Sequence, residues 1–156
     1  MTFHSIDTNI PTLGDAKISS PNKKLNRGNQ LKSFISDDDK IIADLKLANI
    51  TSMIKKGEDP PCFEMAGPRE KIYFDPSKLK CALVTCGGLC PGLNDIIRSI
   101  VLELYYGYGV RNIVGIRYGL QGFIPEFGHD IIDLTPDFVC HILDMGGSVL
   151  GSSRGP

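Results

Sequence analysis

Three glycines, Gly87, Gly88 and Gly92, sit in the seven-residue stretch CGGLCPG, between an apolar run (KCALVT) and a segment of helical periodicity (LNDIIRSIVLELYY). They remove the side chains that would hold an anion away from the backbone. A helix opening just beyond them adds unpartnered N–H groups and the positive end of its dipole. The chemistry on offer is recognition of a phosphate-like anion by backbone donors. The spacing fits neither the G-x-x-x-x-G-K-[ST] phosphate loop nor the G-x-G-x-x-G dinucleotide fingerprint. By itself it therefore leaves an ordinary turn and an anion cradle both open. The second stretch is GGSVLGSSRGP, where Arg154 lies among glycines and serines. A guanidinium there can make paired charge-assisted bonds to phosphate oxygens, or can be a solvated surface charge.

Other reactive residues read as structural. Asp37, Asp38 and Asp39 are adjacent, and such a run is more often a solvated or helix-capping charge cluster than a metal site. His129 falls in a loop and His141 beside core positions of a helix, neither with a nucleophile nearby in sequence, so both read as structural. The five cysteines, Cys62, Cys81, Cys86, Cys90 and Cys140, follow no disulfide or zinc spacing and read as reduced thiols.

The elements that must position the two glycine loops can be read from periodicity. KCALVTC is a strand, and Ile96, Ile97, Ile100, Val101 and Leu104 recur at helical spacing, with Asn94 as N-cap and Asp95 in the first turn. The helix stops at Gly107 to Gly109, and RNIVGIRY supplies a second buried strand around Ile113, Val114 and Ile116. Strand, helix and strand form a βαβ unit with parallel pairing, which places ligands beyond the C-terminal strand ends, where CGGLCPG lies. YGLQGF follows on that edge as a loop turning at Gly119 and Gly122. A short strand at Ile131 and Ile132 leads to a helix with Thr135 as N-cap and Pro136 at its first position. Its stripe is Phe138, Val139, Ile142 and Leu143, and Gly146 to Gly147 stop it. A further strand is expected just before Arg154.

Residues 1–70 read differently, with 20 charged residues against 15 in 71–156 and scattered prolines. They form an extended arm with short elements, of which 41–56 (Ile42, Leu45, Leu47, Ile50, Ile54) is expected to be a helix packed on the core. At 156 residues and 42% apolar composition the chain can build an ordinary domain core. A net charge of −1 gives no field that would recruit nucleic acid or an anionic membrane. No apolar run reaches a membrane span, and the first residues lack the pattern of a secretion signal, so the expected compartment is the cytoplasm.

TCGGLCPGLN resembles the first phosphate-binding loop of the 6-phosphofructokinases, and GGSVLGSSRGP resembles the second donor-phosphate loop of that family. FISDDDK and FEMAGPREKIYFDP are similar to the leader of its long-chain branch, known from plants, trypanosomatids and some bacteria. The resemblance runs from about Phe34 to Pro156. It implies an α/β fold with a partial Rossmann-like parallel sheet preceded by an extended N-terminal arm (1–70), residues 71–156 being the first part of the donor-binding domain. It implies phosphoryl transfer from ATP to the 1-hydroxyl of fructose 6-phosphate with Mg2+, a homo-oligomer, and Gly87, Gly88, Arg154 and Gly155 as donor contacts. Pyrophosphate is the alternative donor; a non-catalytic phosphate-binding module is the alternative function. The family's metal-binding aspartate, catalytic base and sugar-phosphate half are expected beyond Pro156, so the chain reads as an N-terminal portion, inactive when isolated.

Overall fold

The computed structural model describes residues 7–22 and 34–154, in two compact units spanning Met1–Tyr73 and Phe74–Pro156. No described helix is long and apolar enough to cross a membrane.

In the first unit, β1 (Ile18–Ser19) and β4 (Lys71–Ile72) pair antiparallel, as do β2 (Lys40–Ile42) and β3 (Cys62–Glu64). The helix α1 covers only Leu47–Lys55, shorter than the expected 41–56. Asp44 is the reason. Its buried carboxylate accepts from the Lys46 N–H at 2.9 Å and from the Asn49 amide at 2.6 Å. That local turn competes with helix and leaves Ile42 on the strand before it. Contrary to the expected packing, no residue of α1 is buried, and Leu47 is 77% exposed. Of the acidic run, Asp37 pairs with Arg69 at 2.9 Å and Asp39 accepts from the Ser36 N–H at 2.9 Å.

The second unit is an α/β arrangement. Strand β5 (Lys80–Val84) leads through the glycine loop into α2 (Leu93–Leu102), and β6 (Asn112–Ile116), β7 (Ile131–Asp133) and α3 (Pro136–Cys140) follow. The sheet order is β5-β6-β7. β5 and β6 are parallel, with Lys80 opposite Asn112 and Val84 opposite Ile116, as the βαβ reading requires. β7, however, runs antiparallel to β6, with Ile116 opposite Ile131. The link from 117 to 130 contains two 3₁₀ turns, Gly119–Phe123 and Pro125–Phe127, and no α-helix. It therefore lacks the helical crossover on which a parallel return usually depends.

The core is a single cluster of Ile97, Val101, Val110, Ile113, Leu134, Val139, Ile142 and Leu150. Each such side chain, fully buried, contributes on the order of 1.5–3 kcal/mol. On α2 the inward pair is Ile97 and Val101, one turn apart. Ile96 and Ile100 of the same apolar series point outward, 54% and 38% exposed. After Leu102 the helix widens into a π turn, Glu103–Gly107, closed by the Tyr108 N–H on the Glu103 carbonyl at 3.1 Å. Thr135 caps α3 as its sequence suggests, its hydroxyl accepting from the Phe138 N–H at 3.1 Å. The helix ends at Cys140, so Ile142 enters the core from beyond its end while Leu143 stays half exposed.

Candidate functional site

Thr85, the residue after β5, begins the site. Its hydroxyl donates to the Gly151 carbonyl at 2.6 Å and lies 2.8 Å from the Ser148 hydroxyl. Thr85 has one proton, so Ser148 is the donor in the second contact. Ser148 Oγ in turn accepts from the Leu150 N–H at 3.2 Å. Two residues further along, the Gly87 N–H donates to the Ser153 carbonyl at 3.1 Å, and the Ser152 hydroxyl donates to the Gly87 carbonyl at 2.5 Å. The chain from 148 to 153 is thus hydrogen-bonded to Thr85 and Gly87, just beyond β5.

The end of β6 holds the same segment from another side. The Tyr118 N–H donates to the Leu150 carbonyl at 2.9 Å, and Gly151, at φ +68, leaves no room for a Cβ beside the Tyr118 ring. Tyr118 itself has φ +57, the one positive-φ residue other than glycine among the described residues. That conformation is costly for an aromatic side chain and is kept here by the surrounding contacts. Gly119, next along, brings its Cα against Ser153 and the Thr85 carbonyl.

Between these segments opens a cleft of about 290 Å³, lined by Gly87, Gly88, Leu89, Ser152, Ser153 and Arg154 among others. Two of the glycines expected to bind a ligand therefore meet the expected arginine. A Cβ on Gly88 would lie 3.7 Å from Arg154 Nη2, and a Cβ on Gly87, at φ +91, would enter open space. Arg154 is exposed and makes no ion pair with another described residue. Gly155 lies outside the described residues. An exposed guanidinium with no ion pair to another described residue, across an open cleft from bare glycine Cα atoms, suits a phosphate group.

Several sequence expectations are corrected. Asn94 is not the N-cap of α2: Gly92 is, at φ +88, and the helix begins at Leu93. Asn94 is 2% exposed inside the first turn, where its amide reaches Met145 and Val149. The Gly87 N–H, expected to face a ligand, is occupied by Ser153, so what Gly87 offers the cleft is its bare Cα. No strand lies between α3 and Arg154. The amides of Val149 and Leu150 bond to side chains, Asn94 Oδ1 and Ser148 Oγ, which takes them out of any ladder.

His129 lies tilted against the Tyr118 ring (4.5 Å between centroids) and stacked on Phe127 (5.9 Å), and His141 is exposed just past α3. Neither lines the cleft. Among the described residues no three His, Cys, Asp or Glu side chains converge as a metal site would need. A second hollow, within the first unit, is lined by Asp15, Asp37, Asp39, Glu64 and Glu70 against Arg69 and Lys71, a balance that disfavours phosphate. Sequence reasoning missed Thr85, Ser148, Ser152 and Tyr118, although a threonine directly after an apolar strand and serines spaced through the arginine loop were visible.

The family profile described as Phosphofructokinase matches residues 80–156, from the start of β5 through both loops. Residues 80–156 belong to the phosphofructokinase family. It is 43% identical over 153 residues to the ATP-dependent 6-phosphofructokinase of Borreliella burgdorferi, an alignment covering 97% of this chain and 33% of that protein. The enzyme of the same name from Entamoeba histolytica is 54% identical over 92 residues, 59% of this chain and 21% of that protein. ATP-dependent 6-phosphofructokinase 5, chloroplastic, of Arabidopsis thaliana is 44% identical over 133 residues, 78% of this chain and 24% of that protein. The chain spans about a third or less of the length of these phosphofructokinases.

Proposed function

We propose that this chain supplies the phosphoryl-donor side of a 6-phosphofructokinase, which transfers the terminal phosphoryl group of ATP to the 1-hydroxyl of fructose 6-phosphate. The carrying observation is the meeting of the Gly87–Gly88 loop with Arg154 across one cleft, from positions more than sixty residues apart. The names of the relatives support ATP as donor. In this reading residues 1–70 are a leader and 71–156 the first part of a Rossmann-like donor domain, within a homo-oligomeric cytoplasmic enzyme that also binds the sugar phosphate.

Phosphoryl transfer asks a protein mainly for positioning and charge neutralisation. The bare Cα of Gly87 and the small Gly88 let a phosphate lie against the loop. Arg154 orients the donor by paired bonds and offsets charge that develops on the transferred group. Magnesium is the usual partner of the donor phosphates. Among the described residues no three His, Cys, Asp or Glu side chains converge to hold it, and in this reading the acceptor's base lies elsewhere in the enzyme.

The test is calorimetric titration of the 156-residue chain with ATP and with pyrophosphate, alongside Arg154→Ala and Arg154→Lys. Binding should be lost in Arg154→Ala and weakened about tenfold or more in Arg154→Lys, which keeps the charge but not the fork. Equal affinity in all three proteins, or none in the unaltered chain, would remove the cleft from the reading. Pyrophosphate binding without gain from the nucleoside would favour the pyrophosphate-dependent alternative.

A further inference from the structure

We infer that Asn94 is the positioning residue of this cleft: from the first turn of α2 it fixes where the 145–154 segment passes the glycine loop, and so sets the separation between Gly88 and Arg154. Its side-chain Nδ2 donates to the Met145 carbonyl at 2.8 Å, and its Oδ1 accepts from the Val149 N–H at 2.8 Å. The two partners lie 51 and 55 residues further along the chain and bracket the Gly146–Gly147 turn that opens the arginine loop.

The chemistry of the two bonds narrows the choice of residue. One partner is a pure acceptor and the other a pure donor, so the amide can face only one way, and the site asks for a group that donates and accepts at once. Aspartate keeps the bond to Val149 but turns a carboxylate oxygen toward the Met145 carbonyl. Leucine fills the volume and leaves both backbone groups without their Asn94 partner. Glutamine carries the amide one methylene too far from an already closed packing, the side chain being 2% exposed. Asparagine is otherwise a weak helix former, so its place within α2 is explained by these bonds and not by propensity.

The loop segment has little else of this kind before Ser148. Within 141–147 the backbone has no regular ladder, and Gly147 sits at φ +77. From Ser148 onward Thr85 and Tyr118 take over. Asn94 thus ties the loop's entry to the helix that the first glycine loop leads into, while Gly92 and Pro91 tie that helix to Gly88 by only a few bonds. A shift of α2 carries both loops together. The claim that the resulting spacing serves ligand binding rests on the phosphate reading above; the claim that Asn94 sets the spacing does not.

The experiment measures amide hydrogen exchange and pyrophosphate affinity in the 156-residue chain and in Asn94→Ala and Asn94→Asp. In Asn94→Ala, protection at Val149 and Gly151 should fall about tenfold or more while Ile113 and Val114 in the sheet keep theirs, and pyrophosphate affinity should fall about tenfold or more. In Asn94→Asp, loop protection relative to the unaltered chain at the same pH should return as the pH is lowered into the carboxyl range, because a protonated carboxyl again offers one donor and one acceptor. Asp95, the other carboxylate of this turn, is present in both proteins and cancels in the comparison. If the alanine variant does not fold, the aspartate pair of pH values decides alone. Unchanged loop protection in Asn94→Ala, or no recovery of Asn94→Asp at low pH, overturns the inference, as does a loosened loop with unchanged affinity. Loop changes as expected in a chain that never binds pyrophosphate would uphold the positioning role and overturn the phosphate reading.

Discussion

Two glycines share the same left-handed φ and differ in what surrounds them. Gly119 and Gly128 both have φ +62, yet a Cβ on Gly128 would meet nothing within 4 Å. A Cβ on Gly119 would lie 3.0 Å from the Ser153 amide nitrogen and 3.2 Å from the Thr85 carbonyl oxygen, with Ser153 Oγ at 2.7 Å. The hydroxyl can rotate away; the backbone atoms cannot. Alanine at either position carries the left-handed strain of about 1–2 kcal/mol. At Gly119 it also forces apart the end of β5 and the arginine loop, an overpacking cost of about 1–3 kcal/mol. Gly128→Ala should therefore destabilise by ~1–2 kcal/mol and Gly119→Ala by ~2–5 kcal/mol. Urea unfolding followed by far-UV circular dichroism separates them: with a slope of about 1.5 kcal/mol/M, the midpoint of Gly119→Ala should lie ~0.7–2 M below that of Gly128→Ala. Coincident midpoints would refute the close approach of the three segments, and with it the geometry of the cleft.

Thr135→Ala removes the side-chain cap of α3 and should lower unfolding free energy by about 1 kcal/mol, read as a fall in thermal midpoint. Burial pushes the Cys81 thiol above its usual range, so at pH 8 a thiol-specific reagent should label exposed Cys86 and Cys90 well before Cys81, and equal rates would contradict the packing of β5. The Asp75 carboxyl is held below its usual value, chiefly by the Ser77 hydroxyl and then by the Ser77 N–H. A depressed folded-state value means this contribution is present above the ordinary carboxyl range and lost as pH falls through the folded value. Ser77→Ala should move the Asp75 titration, followed by NMR, back upward.

The strand, loop and helix around Gly87 were legible because each leaves a local mark: a β-branched apolar run, clustered glycines, and a stripe at helical spacing. Thr135 was legible for the same reason, since a threonine before proline states its role within four residues. Asn94 was misread because a cap and a long-range amide bridge look identical in sequence; its partners are 51 and 55 residues away. The strand expected before Arg154 failed on the same ground, as side chains from α2 and from Ser148 itself claim the amides a ladder would need. At 41–56 the apolar spacing was present, but Asp44 breaks the helix by a local bond that periodicity does not weigh. The antiparallel return of β7 depends on how residues 117–130 turn, and glycines there report a bend without its direction.

The bond between Thr85 and Gly151 joins residues 66 apart in the chain, so the two faces of the cleft belong to a loop of that length. A phosphate group touching both faces would act as a removable cross-link across it. Were that cross-link as restrictive as a disulfide, closing such a loop would take about 4 kcal/mol of entropy from the unfolded chain. A short peptide carrying CGGLCPG alone would have no second face to close upon. A ligand here would be felt first as heat resistance of the whole unit, with the thermal midpoint rising with ligand concentration before any turnover is measured.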